Sequence, residues 1–196
     1  MLYEKREKFK KLEIKIGKSF SKLNLTPNQW TLSSLLFVLL SFYFIITNNF
    51  ILAFLAFLFT SLIDFIDGAV ARATNTVSVL GGYLDTIVDR IVEFLIILAL
   101  FFSEYPPFFL SSKTWLLLLL FGSFMTTYTK AAAVEKGLRK DGIKGGLVER
   151  GERMILLLLI IFLSTFSKKY ASFLIAVSAV LTNLSALQRF LIVIKR

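Results

Sequence analysis

The sequence predicts an all-α integral membrane protein, with six transmembrane helices preceded by an N-terminal amphipathic helix on the membrane surface and both termini cytoplasmic. Three observations lead there. The chain has 196 residues, of which 56% are apolar and 21 are Phe, with a mean hydropathy of +0.73. A soluble domain of this length cannot bury so much apolar surface. The apolar residues also fall into six runs of helical length, and Lys and Arg gather beside only some of them.

The first element is a basic arm over residues 1–28, holding eight Lys or Arg. Its apolar positions Phe9, Leu12, Ile16, Phe20 and Leu23 recur every three or four residues with lysines between them, the pattern of an interfacial amphipathic helix. No run in it is long enough for a signal-peptide core, so no cleaved secretory segment is expected. "TPNQW" then starts the first span, with Thr26 as cap and Pro27 at the first helical position. The spans are expected at 30–46, 50–71, 84–102, 115–134, 154–166 and 171–194. Residues 29–196 thus form one six-helix transmembrane domain. Trp30 and Trp115 stand at span ends, where aromatic belts form.

Orientation follows from charge. The net charge is +10, and its cations concentrate in the arm, between Lys130 and Arg153, and at the C-terminus. Basic loops stay cytoplasmic, which puts both termini there, and the protein is expected as a multi-pass component of the plasma membrane. The same charge suits anionic lipid headgroups, so no nucleic-acid partner is expected. With neither Cys nor His present, disulfide, thiolate and imidazole chemistry is excluded. Any metal must be held by oxygen.

The cytoplasmic end of the second and third spans carries an unusual stretch, "DFIDGAVARATNTVSVLGGYLDTIVDR". Asp64 and Asp67 are three apart on one helix and Asp85 and Asp89 four apart on the next, so each pair shares a helical face. An ionised carboxylate within a span is costly and marks function. Four together need cations to neutralise them, and Arg72 and Arg90 are too few. Two divalent ions would meet that need and would also clamp the oxygens of a phosphoryl displacement. Gly68, Ala69, Ala71, Gly81 and Gly82 leave side-chain volume absent beside the carboxylates, room for a flat ligand or a close phosphate.

The spacing from Asp64 through Asp67-Gly68, Ala71-Arg72, Gly81 and Asp85 to Asp89 resembles, at every fixed position, the signature of the CDP-alcohol phosphotransferases. The resemblance implies a membrane-embedded homodimer that transfers the lipid phosphate of a CDP-lipid to an alcohol and releases CMP. It further implies that Asp64, Asp67, Asp85 and Asp89 bind two Mg2+ or Mn2+ ions and that Asp89 is also the general base. Gly68, Arg72 and Ser78, with Asn28 and Thr31 upstream, resemble the family's contacts to the CDP part. The active site would face the cytoplasm.

The acceptor is read from a second basic set. Lys130 closes the fourth span, Arg150 and Arg153 stand at a helix start where cations oppose the helix dipole, and Arg189 lies inside the last span. Such a set suits an anion site. Lys130, the "GGLVERGER" segment and "QR" at Arg189 resemble the family branch that makes phosphatidylinositol phosphate and archaetidylinositol phosphate. That resemblance implies a phosphorylated polyol acceptor, L-myo-inositol 1-phosphate, held by Lys130, Arg150 and Arg189, and Arg153, three residues from Arg150, is expected to join them. The donor would be CDP-archaeol or CDP-diacylglycerol. Glycerol 3-phosphate ranks next as acceptor, and serine lower because it offers no phosphate. A divalent-cation transporter is the rival from another class, but it needs polar residues continuing beyond Glu93, and "FLIILALFF" supplies none.

Overall fold

The structure is a computed structural model that describes residues 14–23, 25–138 and 146–195. The expected amphipathic positions Phe9 and Leu12, and the 139–145 part of the basic stretch, lie outside the described residues. The described residues are helical almost throughout. They comprise α1 (14–21), α2 (Pro27–Ile46), α3 (Phe50–Ala73), α4 (Val79–Phe102), α5 (Ser112–Glu135), α6 (Arg150–Phe166) and α7 (Lys168–Ile194). Each expected span is matched by a helix. The largest difference is at the start of α4, which begins five residues early because Ser78 caps it, its hydroxyl accepting from the Gly81 amide at 3.0 Å.

Four of the helices, α2, α3, α5 and α7, are long and apolar enough to cross a membrane. The other two depart from that pattern for visible reasons. Helix α4 carries Asp85, Asp89, Arg90 and Glu93 along its length, and α6 has only 17 residues and opens on "RGER". Large apolar side chains such as Leu36, Tyr43, Phe59, Phe121, Phe166 and Phe173 are about half exposed or more. Lipid, not water, suits such a surface.

The chain divides into two compact units, Met1–Ser41 with Leu55–Val92, and Phe42–Phe54 with Glu93–Arg196. In the first, Val38, Phe57, Ile63, Val70, Val88 and Val92 are buried. Helix α1 docks on α3 there because Gly17 lies against the Ala69 carbonyl and Ala73, where a Cβ has no room. Phe20 of α1 meets Trp30 edge-on with ring centres 5.6 Å apart. Trp30 is therefore a packing residue within this unit. The expected start of α2 is present as a reciprocal pair, with the Thr26 amide donating to Gln29 Oε1 at 2.8 Å and the Gln29 amide to Thr26 Oγ1 at 3.3 Å.

In the second unit, α7 packs on both α5 and α6. Its buried face is mostly small: Ala171, Ser172, Ala176, Ser178, Ala179, Thr182, Ser185 and Ala186. Small residues let helix backbones approach closely in lipid, where no hydrophobic force drives helices together. Gly122 of α5 shows the closeness, since an added Cβ would sit 2.8 Å from Thr182 Oγ1. The α4–α5 connection is tied by Trp115 Nε1 donating to the Phe108 carbonyl at 2.7 Å and by Tyr105 bonded to Ser164 at 2.9 Å. Burial pushes the Tyr105 phenol up to about 12.

Candidate active site

The first unit gathers most of the expected donor-side residues around one cavity of about 170 Å³. Asn28, Thr31, Gly68, Arg72 and Ser78 all line it, together with Asp67 and Asp85. Local geometry explains several of these placements. Gly68 precedes Arg72 by one helical turn, and an added Cβ would stand 2.9 Å from Arg72 Nη2, so the glycine lets the guanidinium lie along α3. At Gly81 a Cβ would meet Ser78 Oγ at 3.0 Å and Asn28 Oδ1 at 3.4 Å, so this glycine admits the Asn28 amide to the start of α4. Pro27, Thr76 and Val77 also line the cavity. Sequence reasoning did not select them, and only Pro27 had a signal, as the first residue of a capped helix.

Asp64 and Asp67 on α3 and Asp85 on α4 each offer a carboxylate oxygen, all within 4.8 Å of one another. At an effective dielectric of about 20, unit charges this close repel by roughly 3 kcal/mol or more per pair. A cluster of three carboxylates so arranged fits a divalent cation, and the oxygen-only donor set fits Mg2+ or Mn2+. Asp89, one turn beyond Asp85 on α4, is buried at 7% exposure. Thr31 Oγ1 donates to Asp67 Oδ2 at 2.6 Å, with both residues 6% exposed. Thr31, expected to touch the nucleotide, lines the cavity, and its hydroxyl also orients the Asp67 carboxylate.

The expected acceptor residues lie in the second unit. Lys130 is exposed on the last turns of α5, and Arg150, half-buried, is the first residue of α6. The adverse charge at that helix start is offset by acid. Glu149 and Glu152 form a capping box, with the Glu149 amide donating to Glu152 Oε2 at 2.6 Å.

Arg153, expected beside the acceptor's phosphate, already has partners of its own. Its Nε donates to Glu93 Oε1 at 2.7 Å, its Nη2 to Glu93 Oε2 at 3.5 Å and its Nη1 to Thr126 Oγ1 at 3.0 Å. Both members of the ion pair are 3% exposed. A cation so enclosed is balanced by a carboxylate of its own. Arg189, 7% exposed, donates from Nη1 to the Thr126 carbonyl at 2.8 Å. Its buried Nε has no hydrogen-bond partner among the described residues.

Comparison with known proteins places this geometry. Residues 24–184 match the CDP-alcohol phosphatidyltransferase family. The archaetidylinositol phosphate synthase of Pyrococcus horikoshii is 35% identical over 157 residues, which are 80% of this chain and 80% of that protein. The crystal structure of Mycobacterium tuberculosis phosphatidylinositol phosphate synthase with CDP-DAG bound superposes with a TM-score of 0.79 at 25% identity, covering 93% of this chain and 94% of that one. The same protein in complex with manganese and citrate gives a TM-score of 0.79 at 26% identity, covering 92% and 88%.

Proposed function

Because the chain belongs to the CDP-alcohol phosphatidyltransferase family, as a metal-dependent membrane transferase of phospholipid biosynthesis, we propose that it transfers the lipid phosphate of CDP-archaeol or CDP-diacylglycerol to L-myo-inositol 1-phosphate. The products are archaetidyl- or phosphatidylinositol phosphate and CMP. The observation that carries the reading is one cavity lined jointly by Asn28, Thr31, Gly68, Arg72 and Ser78 and by Asp67 and Asp85. Nucleotide-side groups and metal-type carboxylates in one small space suit cleavage of a pyrophosphate. The archaetidylinositol phosphate synthase relative and the buried Arg189 both favour an acceptor that brings its own phosphate.

In this reading Arg72 holds phosphate oxygens of the donor from its place along Gly68. Asp89 accepts the proton of the acceptor hydroxyl as that oxygen bonds to the lipid-side phosphorus. The bond from that phosphorus to the bridging oxygen breaks, and the electron pair leaves with CMP. Two Mg2+ or Mn2+ ions, held by Asp64, Asp67, Asp85 and Asp89, would neutralise the carboxylates and the charge developing on the phosphate oxygens. Thr31 keeps Asp67 aimed. Lys130, Arg150 and Arg189 hold the acceptor's phosphate.

All six helices α2 to α7 cross the plasma membrane in this reading, as a domain over 29–196 behind the arm at 1–28, with the active site and both termini cytoplasmic and the protein a homodimer. Spanning by α4 is supported by function, since intramembrane carboxylates persist where they face a working site. The test supplies CDP-archaeol and CDP-diacylglycerol separately, offers inositol 1-phosphate, glycerol 3-phosphate and serine in turn, and quantifies CMP. Inositol 1-phosphate is expected to support the fastest release. Robust release with serine alone defeats the phosphate-pocket reading, and cation flux through reconstituted vesicles without CMP defeats the transferase reading.

A further inference from the structure

Four buried residues of the second unit form one hydrogen-bonded chain from α4 through α6 and α5 to α7. Glu93 accepts from Arg153, Arg153 Nη1 donates to the Thr126 hydroxyl at 3.0 Å, and the Thr126 carbonyl accepts from Arg189 Nη1 at 2.8 Å. Their exposures are 3, 3, 0 and 7% in that order. Thr126 sits at the joint. Its hydroxyl proton is committed to the Ser123 carbonyl at 2.7 Å, so the oxygen is left as an acceptor for Arg153. One residue therefore holds two guanidiniums, one by its side chain and one by its backbone.

The two arginines are not equivalent. Glu93 balances Arg153, whereas no carboxylate among the described residues hydrogen-bonds Arg189. Nη1 of Arg189 is taken by the Thr126 carbonyl, which leaves the Nε–Nη2 edge for other partners. Its Nε is buried and has no partner among the described residues. Gly146, at φ +144°, lies beside that edge, and an added Cβ would stand 3.0 Å from Nε and 3.4 Å from Nη2. The Nε–Nη2 fork, the edge that binds an oxoanion bidentately, thus lies against the Gly146 backbone with no side chain between them.

We propose that Thr126 is a positioning residue for acceptor use: with Arg153, itself held by Glu93, locked onto its hydroxyl, its carbonyl turns Arg189 so that the Nε–Nη2 fork meets the acceptor's phosphate. This rests on the reading of Arg189 as a phosphate-holding residue. Loss of the hydroxyl frees Arg153 Nη1 to compete with Arg189 for the Thr126 carbonyl, and the fork loses its aim.

The test measures KM for inositol 1-phosphate, and in parallel glycerol 3-phosphate, against KM for CDP-lipid in purified wild type, Thr126→Val, Thr126→Ser and Arg189→Ala. Thr126→Val is expected to raise the acceptor KM about tenfold, on the scale of one lost hydrogen bond to a charged group, with the CDP-lipid KM within about twofold. Thr126→Ser keeps the hydroxyl and is expected to behave as wild type. Should Thr126→Val not accumulate in membranes, Glu93→Gln, which releases Arg153 by another route, is expected to give the same split. A raised acceptor KM in Arg189→Ala with an unaltered one in Thr126→Val or Glu93→Gln overturns the positioning role alone. An unaltered acceptor KM in Arg189→Ala overturns the reading of Arg189 and the positioning role with it. Parallel loss of both KM values and of thermal stability in Thr126→Val, not rescued by Thr126→Ser, shows a merely structural residue and also overturns it.

Discussion

Replacing Thr31 by Val changes one hydroxyl for a methyl of similar size and tests how the carboxylate cluster is held. The hydroxyl lies 2.6 Å from Asp67 Oδ2 and 3.1 Å from the Pro27 carbonyl, and its single proton goes to the nearer, charged acceptor. Both residues are 6% exposed, so water cannot replace the bond without rearrangement. A hydrogen bond to a charged group contributes about 1.5–3 kcal/mol, roughly a 10- to 150-fold change in a binding constant. Partners of metal-ligating carboxylates cost about 10- to 100-fold in metal affinity when removed. The expected result is a Mn2+ concentration for half-maximal CMP release raised about 10- to 100-fold. Turnover at saturating Mn2+ should stay within several-fold of wild type. The assay titrates Mn2+ into metal-free enzyme at fixed CDP-lipid and acceptor and follows CMP. An unchanged Mn2+ midpoint with a weakened KM for CDP-lipid would refute the reasoning and return Thr31 to direct nucleotide contact.

Three further outcomes are expected. Asp89→Asn abolishes CMP release while CDP-lipid binding largely survives, measured on the same purified variant, because the base is lost and most of the metal cage remains. EDTA silences the enzyme and Mg2+ or Mn2+ restores it, with Zn2+ a poor substitute in an all-oxygen site; full activity in metal-free buffer refutes this. Tyr105, whose phenol is pushed up to about 12, contributes stability that is complete below its unfolded value near 10 and lost as pH rises through 12. Tyr105→Phe should flatten that alkaline loss in detergent melting curves while lowering stability below pH 10 through the lost Ser164 bond.

What the sequence determined by itself rests on local geometry. A helix of apolar residues is read from its run length, and two aspartates three or four apart share a face wherever their helix goes. The Asp64–Asp67 and Asp85–Asp89 pairs, the Thr26 cap and the Gly68–Arg72 spacing are all of this kind. None needs knowledge of a partner helix. The glycines beside the carboxylates were legible as missing volume, though Gly17, which docks α1 on the Ala69 carbonyl, gave no such sign.

Only the tertiary structure decided which partner each charge meets. Arg153 and Arg189 look alike along the chain, as cations in or beside apolar runs, yet one is paired to Glu93 sixty residues away and the other is not. The sequence did hold one overlooked signal, since a glutamate within an apolar helix must find a cation or stay protonated. Which cation it finds depends on where α4 and α6 pack. Likewise Thr31 was legible as a polar residue near a helix start, but its bond to Asp67 crosses from α2 to α3. Helical periodicity fixes the face a residue occupies and says nothing of what stands opposite, because that is set by side-chain packing between segments distant in sequence.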